Sequence, residues 1–227
     1  SMKRGFYTIM SAQFFSSLAD NALFVAAVEL LRTSGAPEWQ RAALVPMFAL
    51  FYVVLAPFVG AFADALPKGR VMFVSNAIKI VGCLMMLFGS HPLIAYAVVG
   101  LGAAAYSPAK YGILTELLPA SQLVKANGWI EGLTIASIIL GVLLGGQLVG
   151  HHLSAALLSI DIPMIDFGIH TAAEAAIAAL ILVYALAAWF NTRIPHTGVE
   201  MRPLRQHPQR SILASTLALL PDFWACN

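Results

Sequence analysis

The chain has 227 residues, of which 59% are hydrophobic and 11% charged, and its mean hydropathy is +0.80. A soluble domain carries about a quarter charged residues, so this chain lacks the polar surface to face water and lipid must be its main solvent. The net charge of +2 says little; the placement of the charges says more.

A spanning helix needs about 20 mostly apolar residues. Six segments qualify, at about residues 6–31, 42–63, 71–90, 93–114, 126–149 and 171–191. They are too long, and alternate too little, for barrel strands, so an all-α membrane protein is expected. Ser1 before Met2 reads as an expression scar, and no cleavable signal peptide is expected. Ser90-His91-Pro92 reads as a tight turn. Residues 151–170 form a longer loop in which Leu153, Leu157 and Leu158 fall at the spacing of a short interfacial helix. Residues 1–191 thus read as the transmembrane bundle and 192–210 as a basic, proline-containing linker. Residues 211–227 read as the start of a further element that is cut off.

Orientation follows from lysine and arginine. With an even number of spans both ends share one side. That side collects Lys3, Arg4, Lys68, Arg70, Lys110, Lys125, Arg193, Arg202, Arg205 and Arg210. The other holds only Arg32 and Arg41. The asymmetry predicts cytoplasmic termini.

The first span carries Gln13, Ser17, Asp20 and Asn21 on one side of a helix. Asp20 lies about 20 Å along it, deep in the bilayer. A carboxylate there costs several kcal/mol unless it meets a partner or a wet cavity. It reads either as glue between helices or as a cavity-lining group for a polar or cationic substrate. The fifth span repeats the pattern with Asn127, Glu131 and Thr134. Lys79 in the third span lies at a depth similar to that of Glu131. A Lys79–Glu131 ion pair is the favoured reading, with snorkelling of Lys79 toward the cytoplasmic interface as the alternative.

In the fourth span Tyr106 and Lys110 are one turn apart, and Pro108 should kink the helix. Lys110 reads as a topological anchor or as a phosphate contact. Gly141, Gly145 and Gly146 suit close helix contact. Trp39, Trp129 and Trp189 stand near span ends, as interfacial anchors do.

Neither a metal nor any other cofactor is expected. His151-His152 has no accompanying Cys or carboxylate arrangement, and Cys83 and Cys226 form no CxxC pair. The usual catalytic and phosphate-loop motifs do not occur, so no enzyme is expected. The basic residues serve topology, so nucleic acid is not expected as a partner.

The loop Gly60-Ala-Phe-Ala-Asp64-Ala-Leu-Pro67-Lys68-Gly69-Arg70 resembles the cytoplasmic loop motif of the major facilitator superfamily, with Gly69 about two residues later than usual. The resemblance implies that Asp64, Lys68 and Arg70 join a charge network that latches two halves on the cytoplasmic side. Ala19-Asp20-Asn21-Ala22-Leu23, Ala56-Pro57-Phe58-Val59-Gly60, the string from Gly102 to Leu114 and Leu123-Val124-Lys125-Ala126-Asn127-Gly128 narrow the resemblance, and of these the stretch from Tyr106 to Leu114 is the specific one. They resemble the bacterial lysophospholipid transporter family, over about residues 5–150 best. That family is implied to flip lysophosphatidylethanolamine-type lipids from the outer to the inner leaflet of the inner membrane. A cytoplasmic acyltransferase–acyl carrier protein synthetase would then re-acylate them. The resemblance also implies twelve spans in two halves, of which this chain would be the N-terminal six-helix half, lacking the C-terminal one. A proton-coupled drug or metabolite antiporter is the competing reading. Two parts usual in those antiporters are missing: Gly145 is followed by Gly146 rather than proline, and the fourth span holds no arginine.

Overall fold

A computed structural model describes residues 2–150 and 171–194. Its elements are α1 (Met2–Thr33), α2 (Glu38–Ala65), α3 (Lys68–Leu87), α4 (Pro92–Leu117), α5 (Ala120–Val149) and α6 (Ala172–Thr192). Each expected span falls on one of them, and all six are long and apolar enough to cross a membrane. The readings of 151–170 as an interfacial loop, of the linker beyond Ile194 and of 211–227 lie outside the described residues.

Local chemistry sets the boundaries. Pro92 opens α4 at a position where its missing N–H costs nothing, and His91 accepts from the backbone N–H of Leu93. Thr171 caps α6 by accepting from the N–H of Glu174, which satisfies one orphan donor. Gly35 and Gly89 take positive φ in the turns after α1 and α3.

In lipid, helices associate by close packing and polar contacts rather than by hydrophobic force. Helix α3 lies against α4 and α6, α1 against α5 and α6, and α2 against α4. Glycine makes two of these contacts possible. A Cβ on Gly100 would stand 2.0 Å from the carbonyl oxygen of Phe48, so α4 touches the α2 backbone there. On α5, Cβ atoms at Gly141 and Gly145 would stand 2.6 and 2.8 Å from the carbonyls of Leu18 and Ala22. By contrast α4 and α5 scarcely meet. The gap between them, the α4–α5 cleft, is bridged by α1, which touches both helices, and by a hydrogen bond from Tyr111 to Glu131.

The interior is layered. One apolar cluster holds Ala19 to Leu31 of α1 with Cys83, Met86, Tyr96, Leu180 and Tyr184. A second holds Ile9, Val71, Met72, Ile113, Leu114 and Ile130. Buried Ser16, Asn76 and Lys79 lie between the two along α1 and α3. This polar layer gathers several buried polar groups, and a second polar seam, with buried Gln13 and Ser137, runs between α1 and α5. The second cluster is the one nearer the basic end: Lys68 runs along Gly112, and Gly69 touches Asn191 and Ile194.

Candidate functional site

Asp20 is central to the layer. Its Oδ2 lies 2.9 Å from Lys79 Nζ and its Oδ1 accepts from the Tyr184 hydroxyl at 2.6 Å. Lys79 also donates to Ser16 Oγ at 2.9 Å. Ser16 in turn donates to Asn76 Oδ1 at 2.7 Å, and the amides of Asn76 and Asn191 meet at 2.6 Å. The chain of contacts therefore joins α1, α3 and α6.

The Lys79–Glu131 pair expected from sequence does not form. Lys79 turns to Asp20 because α3 packs against α4 and α6 rather than α5. Glu131 accepts from the hydroxyl of Tyr111 instead. Snorkelling does not occur either: the Lys79 side chain is 2% exposed, against 19% for Asp20. Asp20 is thus a paired carboxylate with an accessible edge, not a free one. Two costly ions become tolerable because each meets the other and further hydrogen-bonding groups.

The remaining first-span residues divide by direction. Gln13 Nε2 donates to Thr134 Oγ1 at 3.0 Å, and Ser137 Oγ donates to Ser17 Oγ at 2.7 Å, so both hold α1 to α5. Asn21 folds back onto its own helix, donating to the Ser17 carbonyl at 2.8 Å. Here the reading of these side chains as helix glue describes their contacts in the bundle.

On α4 the ring of Tyr106 is buried, with Lys79 Nζ 5.1 Å from its centroid. One turn nearer the basic end, the Lys110 side chain is buried to 6% exposure, its Nζ 4.5 Å from the Tyr111 ring centroid. Across the cleft, α5 exposes Asn127 and Glu131. Tyr52 of α2 donates to Ser107 of α4 at 2.5 Å, close to the kinking Pro108. Polar groups therefore stand on both α4 and α5, and the hydrogen bond from Tyr111 to Glu131 spans the two helices.

The loop residues of the expected latch are only partly placed. Arg70 is exposed and Lys68 lies against α4 at Gly112; the side chain of Asp64 lies outside the described residues. Trp39 and Trp189 are exposed near helix ends, whereas the exposed Trp129 lies nine residues inside α5. Sequence reasoning missed Ser16, Asn76, Tyr184 and Asn191. The signal was present, since Asn76 and Asn191 are amides inside apolar runs, but a polar residue in a span does not name its partner.

The fold and sequence both have relatives. A solved bacterial homolog of the human lysosomal transporter Spinster, inward-facing and unoccupied, superimposes with a TM-score of 0.70 at 18% identity, over 99% of this chain and 49% of that one. Proteins named lysophospholipid transporter LplT are 45% identical over 207 residues. They come from Yersinia enterocolitica and Yersinia pestis, and the match covers 89% of this chain and 46% of each relative. The chain therefore spans about half the length of the curated relatives it matches. The resemblance read from the sequence strings agrees with these names. The sequence model described as Major Facilitator Superfamily matches residues 9–225, and with its six long apolar helices the chain is a multi-pass membrane protein that belongs to that superfamily.

Proposed function

We propose that the chain is the N-terminal half of a lysophospholipid transporter. In this reading it carries lysophosphatidylethanolamine-type lipids from the outer to the inner leaflet of a bacterial inner membrane, with both ends of the six-helix unit cytoplasmic. The observation that carries the reading is the arrangement of charges inside the bundle. It sets a partly exposed carboxylate, Asp20, and a buried ammonium, Lys110, at different depths beside an apolar bundle. A zwitterionic head group on a single acyl chain has complementary chemistry. Its ammonium meets Asp20 and its phosphate meets Lys110, with Tyr106, Gln13, Ser17, Asn21, Asn127 and Glu131 around the path. The names of the 45% identical relatives support the same substrate class.

The energetics assign the protein its task. Each acyl CH₂ kept from water is worth about 0.8 kcal/mol, so the tail stays on apolar walls or in lipid. The charged head cannot cross hydrocarbon unaided, and the cleft supplies it with polar partners. A second six-helix half completes the pathway, and alternating access arises as the halves rock about a midplane site. Asp64, Lys68 and Arg70 latch the cytoplasmic side. A cytoplasmic acyltransferase–acyl carrier protein synthetase takes the delivered lipid.

The test is lysolipid translocation by the full-length protein in proteoliposomes. Asp20→Ala is expected to lower the rate at least tenfold while the protein still inserts. An unchanged rate would remove Asp20 from the site. Transport that stops when a proton gradient is collapsed would indicate an antiporter instead.

A further inference from the structure

Lys79 fills a cage suited to an alkylammonium ion. Around its Nζ stand Asp20 Oδ2 and Ser16 Oγ, both at 2.9 Å, with the ring centroids of Tyr106 at 5.1 Å and Tyr184 at 5.7 Å. An anion combined with aromatic faces is the general means of binding such cations. Here the occupant is tethered to the protein itself.

The two ions of the pair differ in access. Lys79 is sealed, whereas the Asp20 side chain is 19% exposed. A solute from outside the bundle therefore reaches the anion before the cation. A carboxylate offers about four lone-pair positions, and Lys79 and Tyr184 engage one oxygen each. A second ammonium can approach, but it meets the charge of Lys79 at close range. Lys79 has somewhere to withdraw, since Ser16 and the Tyr106 ring surround it independently of Asp20, with the Tyr184 ring beside them.

We propose that Lys79 is a tethered competitor for the Asp20 carboxylate and thereby sets head-group selectivity. It neutralises Asp20 while the cleft is empty. It shifts onto Ser16 and the tyrosine faces when a lipid ammonium arrives. Head groups that bring an ammonium must displace it; head groups that bring none gain nothing from Asp20. The inference rests on the reading of Asp20 as a head-group contact, and Lys79 acts through Asp20 as a positioning residue.

The experiment compares kcat/KM for lysophosphatidylethanolamine and lysophosphatidylglycerol in the full-length protein, reconstituted in vesicles. Lys79→Gln removes the competitor and is expected to raise the ethanolamine-to-glycerol ratio at least threefold. Lys79→Arg grips the carboxylate with a bidentate fork and is expected to lower the ratio at least threefold. If Lys79→Gln does not reach the membrane, the Lys79→Arg ratio decides alone. Ratios equal to that of the unaltered protein overturn the inference. Asp20→Asn separates the two failures. If it lowers ethanolamine transport while the Lys79 variants leave the ratio alone, only the competitor role falls. If it changes neither lipid's transport, the head-group reading of Asp20 falls with it.

Discussion

The hydroxyl of Tyr184, near the middle of α6, donates to Asp20 Oδ1 at 2.6 Å, across 164 positions of sequence. That bond ties the last described helix to the first, and it makes Asp20 a shared acceptor for α3 and α6. The layer built on it joins α1, α3 and α6, and since Asp20 is also the proposed head-group contact, substitutions there test stability and transport together.

Breaking the ion pair from one side should be worse than removing it. Lys79→Met leaves the partly exposed Asp20 carboxylate with the Tyr184 hydroxyl but no counter-ion, and loss of one partner of a buried pair costs up to about 3–5 kcal/mol. The double variant Asp20→Asn/Lys79→Met should recover most of that loss. Thermal unfolding of the detergent-solubilised protein, followed by size-exclusion fluorescence, reads the difference.

Gly100→Ala should be poorly tolerated. Its Cβ would stand 2.0 Å from a backbone oxygen of α2, and backbone cannot step aside as a flexible side chain can. Overpacking typically costs about 1–3 kcal/mol, and this contact is severe enough to reach the upper end. Yield in the membrane fraction and melting temperature are the measurements.

The polar seam between α1 and α5 should matter less. Gln13→Leu removes one hydrogen bond to Thr134, and interhelical bonds in membranes average about 0.6 kcal/mol. A melting shift of a degree or two is expected. A much larger loss of transport than of stability would support the proposed place of Gln13 on the lipid path.

Orientation is open to chemical labelling. In a background without Cys83 and Cys226, Ser90→Cys lies in the α3–α4 turn and Ala120→Cys at the start of α5, at opposite ends of the bundle. A membrane-impermeant maleimide added to spheroplasts should label the first and spare the second. The reverse pattern would invert the proposed topology.

Spans, their order and the asymmetry of basic residues were legible from the sequence because lipid imposes a one-dimensional rule. A helix must be long and apolar enough to cross, and Lys and Arg sort to one side. Gly141 and Gly145 announced a close contact for the same local reason, although not that α1 would supply it. Which polar groups meet is a different kind of fact. Asp20, Lys79 and Glu131 all lay at depths where pairing was required, and depth alone favoured Lys79 with Glu131. The packing of α3 against α4 and α6 decided otherwise, giving Lys79 to Asp20 and leaving Glu131 to Tyr111. Hydropathy specifies how deep a side chain sits; only the arrangement of helices around one another specifies the direction it faces, and an ion pair needs both.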